Sequence, residues 1–392
     1  MPILSFFHKL NKIQVSLKLV RKTRYLKNVL AAKHSKKVLI SYLSSSFTKG
    51  ISEKHTSLLE CLTAAKIFDD LGYTVDVVDF DDDDRVRNYA QYDVVYGFGT
   101  PYEKSFNDKK FKGKRILYST GCNSNFTNIT TTKRLKEFYQ KTGILDPQLI
   151  RTVDNSWPLQ KYLSDAILCL GNKFVADTYR VDGITSTIFE LDLFYPKSDV
   201  EEKMLPKDYT IIKNNLIWFG SKSSVHKGLD LALDIIKQLP NLKLFVCGYQ
   251  KDYEVELFNF YKDTFDGTQV VDCGFVNIHS LEFVDIINNC GAAIFPTTAE
   301  GGAAALLTLM GNSGIIPITT TNAGLDLDKY GFVAKNVSLD DLTEQVRNYL
   351  NTPNQELEVK RKQLKDYIQT KHAYSVYYNS MKKAISETIN LT

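Results

Sequence analysis

Two short stretches of this chain set charge beside glycine at points where the pattern turns from strand to helix. The first, "WFGSKSSVHKGLD", carries Gly220, Ser221, Lys222 and Lys227. The second, "PTTAEGGAAALLTL", places Glu300 before Gly301, Gly302 and a small-residue run that reaches Thr308. The free N–H groups and the dipole of a helix start favour an anion. Lys222 and Lys227 crowd such a start and would repel each other unless a phosphate sat between them. Gly301 and Gly302 leave backbone amides open, and the alanines after them let a ligand come close. Glu300, at the mouth, can accept hydrogen bonds from hydroxyls. A ligand with both a phosphate and a polyol suits this chemistry, and a nucleotide sugar is one. Plainer readings stand beside these: the lysines as surface residues of a turn, and Glu300 as an N-terminal helix acid stabilised by the dipole.

The elements around these loops alternate. "KKVLISYL", "YTVDVVDF", "YDVVYGFG", "KRILYSTG", "SDAILCLG" and "TSTIFEL" read as strands, separated by helices such as "SEKHTSLLECLTAAKIFDDLG", capped by Ser52, and "TTKRLKEFYQKTG", stopped by Gly143. A second series follows: "NNLIWFG", "LKLFVCG", "QVVDCGFV", "GAAIFP" and "GIIPITT" as strands, with helices between and a helix capped by Ser338 after them. Strands alternating with helices imply parallel sheets covered on both faces. The expected architecture is α/β: two Rossmann-like domains with parallel sheets facing a central cleft, over residues 36–200 and 206–355. A charged, proline-bearing linker lies near Phe194 to Leu205, and a helical tail spans 356–392. Ligands of open parallel sheets bind outside the carboxyl ends of the strands, so both domains would present loops to the cleft.

A length of 392 residues favours two domains, and 43% hydrophobic with 24% charged residues fits a globular chain. The six cysteines are far apart and form no C-x-x-C pair, which argues for a reducing compartment and against a zinc or disulfide framework. No apolar run reaches the length of a membrane span. The net charge of +4 hides an asymmetry: residues 1–37 hold ten Lys or Arg and no acid, leaving the rest net acidic. Phe6, Leu10, Ile13, Leu17 and Val20 fall on one face of a helix within the 1–35 segment. Such a helix can lie on an anionic membrane surface or pack on its own domain with a solvated basic rim. Its charges interrupt the apolar run and no small-residue cleavage site follows, unlike a signal peptide. A nucleic-acid partner is not expected, since the body of the chain is acidic and carries no recognised binding module.

From about Leu216 to Asp328 the chain resembles the donor domain of the GT-B glycosyltransferases, in particular retaining family four (group 1). The resemblance rests on Gly220, Lys222, Lys227 and Gly228, on "CGFVNIHSLEFVDIINNCGAAIFPTTAE", and on Glu300 followed by Gly314 and Pro317. It implies that Lys222 and Lys227 bind the donor diphosphate and steady the leaving group, with Gly220, Ser221, Gly301 and Gly302 shaping the donor loops. It implies that Glu300 contacts the transferred sugar. The family's second glutamate, which binds the ribose, corresponds to Thr308, a neutral and shorter partner; a charge-assisted bond is roughly twice as strong as a neutral one. The gap from Gly220 to Lys227 is one residue longer than usual, so Ser221 or Lys222 can take the basic position. The glycine pair after the first strand is replaced by "LSSSFTKGIS". On the acceptor side the candidates are His55, with Glu60 near it, and Cys122 and Asn123, with Arg134 beyond; a lone histidine is more often structural.

The implied reaction moves a sugar from a UDP- or GDP-linked donor to an acceptor hydroxyl, with retention and with the leaving phosphate taking the acceptor proton. The acceptor would be a glycan or lipid-linked glycan of surface polysaccharide or lipopolysaccharide synthesis, at the cytoplasmic face of the membrane. No cofactor or metal is expected, and the acidic run Asp79 to Asp84 reads as a solvated loop. Two alternatives stay open: another GT-B reaction such as nucleotide-sugar epimerisation, or a catalytically weak binding or scaffold subunit.

Overall fold

The computed structural model describes residues 25–48, 56–82, 84–153 and 157–391. The basic helix expected over Phe6 to Val20, the cap at Ser52 and the candidate His55 lie outside the described residues. Short runs such as Val38–Leu39–Ile40, each fully buried, are apolar on both faces, as central parallel strands must be. They build a first sheet from β1 (Tyr25–Leu26), β2 (Lys36–Tyr42), β3 (Tyr73–Asp79), β4 (Val94–Gly97), β5 (Lys114–Ser119), β6 (Ala166–Leu170) and β7 (Thr187–Leu191). Its order is β1-β3-β2-β4-β5-β6-β7. All neighbours are parallel except β1, which runs antiparallel to β3 at the edge. Tyr25 and Asn28 hold that edge by bonds to the buried Asp76 carboxylate.

The second sheet contains β8 (Asn215–Phe219), β9 (Lys243–Cys247), β10 (Val270–Gly274), β11 (Ala292–Phe295), β12 (Ile316–Thr320) and β13 (Phe332–Ala334), in the order β10-β9-β8-β11-β12-β13. Every pair is parallel. The α/β architecture of two parallel-sheet domains is therefore as the alternating pattern predicts. The sequence reading has neither β1 nor β13, each of two or three residues and too short to show a period.

The crossing between the sheets is not a loose tether. Phe194 is 3% exposed and packs on Tyr374 and Tyr377, and the Ser198 N–H donates to Asn312 Oδ1 at 2.7 Å. The helical tail breaks into Asn354–Lys371 and Tyr374–Ile389. The first packs on the helix Ala304–Ser313 of the second domain, and the second crosses back to the first domain. There Tyr374 meets Thr63 Oγ1, while Tyr42 and Tyr118 both donate to the buried Glu60 carboxylate at 2.9 Å and Tyr377 meets the Tyr118 hydroxyl. Glu60 is thus an anchor between strands and the returning helix.

A second junction joins the domains. The helix Ser124–Thr142 starts on the Asn123 side chain, ends on Gly143 at φ 72°, and belongs by sequence to the first domain. Its Leu135 and Phe138, with Leu149 and Ile150 beyond it, pack into the core of the second domain around Leu229, Leu233 and Trp218. Arg134 Nη2 meets Asp230 Oδ2 at 2.7 Å with both side chains buried, and Lys141 pairs with Asp234. Apolar contact and ion pairs therefore hold the two domains at this face.

Candidate functional site

Both glycine-flanked loops leave the carboxyl ends of neighbouring strands, β8 and β11. The loop after β8 is shaped by close approaches. A side chain on Gly220 would strike the Trp218 indole, and one on Gly228, at φ +72°, would strike Pro296. The fully buried Trp218 donates its Nε1–H to the Lys227 carbonyl at 3.0 Å. Glu254, also fully buried, accepts the Ser223 and Ser224 amides on Oε1 at 2.7 and 3.2 Å. Ser223 sits at φ 65° and Ala303 at φ 29°, so two of the non-glycine residues in left-handed backbone fall in these two loops. Such conformations persist where surrounding structure over-determines them, often at sites.

Lys227 is buried, and its Nζ donates to Ser221 Oγ at 2.6 Å and to the Lys222 carbonyl at 3.0 Å. Burial pushes its ammonium down to about 8, with the Arg151 charge acting in the same direction. The Lys222 ammonium lies instead over the Tyr253 ring, 3.7 Å from its centroid. Only the backbone of Lys222 meets Lys227; the two ammonium groups do not share a partner among the described bonds.

Glu300 stands across from Lys227, its side chain 13% exposed. Oε2 meets Arg151 Nη1 at 3.2 Å, and Oε1 lies 3.9 Å from His226 Nε2. Burial alone would raise the carboxyl, but the charges of Arg151 and Lys227 hold it below the ordinary range. The fully buried His226 ties the loops together. Its Nε2 faces the Ala299 carbonyl at 2.9 Å, which can only accept, so Nε2 carries the proton and Nδ1 accepts from Thr131 Oγ1 at 3.2 Å. Burial pushes it down to about 4, so it is neutral at pH 7. Its backbone also accepts the Thr298 amide at 2.8 Å and donates to Leu149 at 3.1 Å.

Gly301 lies against the first domain: a side chain there would meet the Thr120 carbonyl and Gly121. Gly302 takes φ +80°, and the helix Ala304–Ser313 begins with no side-chain cap. Thr308 is 4% exposed and donates its hydroxyl to the Ala304 carbonyl at 2.8 Å, inside its own helix. Cys122 is buried under the loop, its Sγ 3.6 Å from the Glu300 carbonyl, and burial pushes its thiol up to about 12. Asn123 is a helix cap whose side chain also holds Lys161 and Asp182. Asp79 and Asp82 of the acidic run accept backbone amides of Ser44, Asp84 and Arg85. Among the described residues no group of three or more His, Cys, Asp or Glu side chains is placed to hold a metal ion. Among them also, no helix is long and apolar enough to cross a membrane.

Beside the first loop a cavity of about 700 Å³ opens at the carboxyl ends of β9 and β10, lined by Tyr249 to Tyr253 and Asp272 to Gly274. The structure thus brings together Lys227, Glu300 and the glycines, and adds Arg151, His226 and Glu254. The sequence reading passed over His226, whose one signal is its place next to Lys227. Glu254 and Arg151 carry no local signal, since each reaches the site from another segment.

No family model matches the sequence, and no curated protein matches it. Solved structures do. Sucrose-phosphate synthase of Thermosynechococcus elongatus superposes with TM-score 0.62 at 11% identity, over 90% of this chain and 98% of that one. Anabaena HepE in complex with UDP and glucose gives 0.59 at 12%, over 90% and 100%. The chain has the GT-B fold. A TarM variant of S. aureus, in complex with Fondaparinux, alpha-GlcNAc-glycerol and UDP, gives 0.52 at 11% identity over 78% of this chain; the chain spans 57% of that protein's length. At these identities the likeness is one of fold: two parallel-sheet domains, here in contact where Gly301, after β11, meets Thr120 and Gly121, after β5.

Proposed function

We propose that the protein transfers a glycosyl group from a nucleotide diphosphate sugar to an acceptor hydroxyl. The observation that carries this is the order of features along the carboxyl edge of the second sheet. Across β10, β9, β8 and β11 come the cavity, the Lys227 loop and then Glu300. Three strand spacings, about 14 Å, separate the ends. The base would sit in the cavity, the diphosphate at Lys227 and the sugar at Glu300. Departure of the diphosphate builds negative charge, which the preset Lys227 ammonium stabilises as it grows. Neutral His226 keeps the two loops in register and does not compete for the phosphate. The fold likeness to proteins solved with UDP and sugars supports the reading.

Membership in retaining family four, retention at the anomeric carbon, a role in surface polysaccharide synthesis and a peripheral site on an anionic membrane through residues 1–37 are finer parts of the same proposal. They rest on the sequence resemblance and on the basic N-terminal segment. A second reading, a binding subunit without transfer, is favoured by Thr308, whose hydroxyl would have to leave the Ala304 carbonyl to meet a ribose. The test is a panel of UDP- and GDP-sugars with release of nucleoside diphosphate followed over time. Release from one donor, lost on Glu300→Gln, is expected; binding without release would favour the second reading, and neither would remove the proposal.

A further inference from the structure

We infer that Arg151 is the second cation of the diphosphate site, delivered by the first domain in place of a second basic side chain on the Gly220–Lys227 loop. The inference rests on the donor reading above. A diphosphate carries at least two negative charges, and the loop after β8 turns one ammonium toward the site. Lys222, the other basic side chain of that loop, is drawn onto Tyr253. Arg151 reaches the site from the segment after the helix Ser124–Thr142, its Nη1 3.2 Å from Glu300 Oε2. Its side chain is 47% exposed, and among the described bonds only Nη1 of its guanidinium, which carries five N–H donors, has a partner. Planar, bidentate donation is the geometry that phosphate oxygens take best.

The backbone beneath Arg151 is fixed to the donor loop and not merely near it. The Leu149 carbonyl accepts the His226 amide at 3.1 Å, one residue before Lys227. Leu149 is fully buried and Ile150 nearly so, both in the second domain's core. Ion pairs of Arg134 with Asp230 and of Lys141 with Asp234 hold the helix that precedes this segment. Arg151 therefore travels with the donor domain although it belongs by sequence to the other one. The effect of its charge on both Lys227 and His226 is consistent with that proximity. When a donor enters, Glu300 exchanges Arg151 for sugar hydroxyls and Arg151 turns to the diphosphate beside Lys227.

The rival role is a latch that holds Glu300 and nothing else. Calorimetry separates the two, with UDP and GDP as probes and uridine and guanosine as phosphate-free controls. Arg151→Gln should weaken the bound diphosphate on the order of ten- to a hundredfold, the scale of lost charged hydrogen bonds. Affinity for the nucleoside should hold, and the loss should exceed that of Lys222→Gln. Arg151→Ala, read the same way, covers the case in which the glutamine variant misfolds. Unchanged diphosphate affinity, or equal losses for nucleoside and diphosphate, would overturn the inference and leave the donor reading standing. If the wild-type protein binds neither UDP nor GDP, both fall together.

Discussion

Replacing Lys227 with methionine separates what this residue does for the fold from what it does for a ligand. Methionine keeps the length of the buried stem and removes the ammonium. In the folded protein that ammonium is held at about 8 against the ordinary 10.5, chiefly by burial. The folded state therefore disfavours the proton. The penalty is full below about pH 8 and is relieved as pH rises toward 10.5, where the unfolded chain also loses its proton. At neutral pH it amounts to roughly 3 kcal/mol. The partners left behind, Ser221 and the Lys222 carbonyl, belong to exposed residues and can turn to water. Lys227→Met should accordingly match or exceed the wild-type stability at pH 7, by up to roughly 3 kcal/mol. It should also lose the gain in stability that the wild type shows between pH 8 and 10. Transfer should fall by about a hundred- to a thousandfold, the scale of one lost donor to developing charge. Urea melts at pH 7 and 9.5, beside a nucleoside diphosphate release assay, read both quantities. A clear loss of stability together with unchanged turnover would refute the reasoning, because the lysine would then be a structural residue.

Other substitutions probe other parts of the site. Glu300→Gln should cut transfer by about a hundredfold or more, yet leave the affinity for bare UDP or GDP within a few-fold, as measured by calorimetry, since Glu300 faces the sugar end. Nucleoside diphosphate affinity should decline as pH rises through about 8, because the Lys227 cation is the form that binds; a titration from pH 6.5 to 9.5 checks the sign. Arg134→Ala leaves the Asp230 carboxylate buried without its partner and should cost about 3–5 kcal/mol in denaturant melts, whereas Arg134→Ala with Asp230→Ala together should cost less than the sum of the two alone.

The alternating strands and helices were legible because central parallel strands must be apolar on both faces, as in "KKVLISY" and "AAIF". Caps that act within a few residues were legible too: Ser338 accepts the Asp341 amide, and Gly143 ends its helix. The helix before Gly143 begins at Ser124, earlier than its pattern indicates, since "SNFTNIT" is polar and β-branched and folds as helix with Asn125 held by Asp182 and Phe126 packed on a first-domain core cluster. The docking of Leu135, Phe138 and Leu149 across the domain boundary was hidden, because an amphipathic face does not announce which core it enters. At the site, Lys227 and Glu300 stood out by their glycine neighbours. The expectation of two lysines around a phosphate did not foresee that Tyr253, from the loop after β9, takes Lys222. Arg151 and Glu254 act at the site only through the fold, and no local spacing marks them.

The most direct test of a donor site at Lys227 and Glu300 is a crystal structure of the protein with a nucleoside diphosphate. The diphosphate should displace Ser221 from Lys227 and lie within hydrogen-bond reach of Lys227 Nζ, with the base in the cavity between Tyr249 and Gly274 and the terminal phosphate pointing toward Glu300. A nucleotide bound elsewhere, or bound with Lys227 still on Ser221 and the Lys222 carbonyl, would contradict the site and the function built on it.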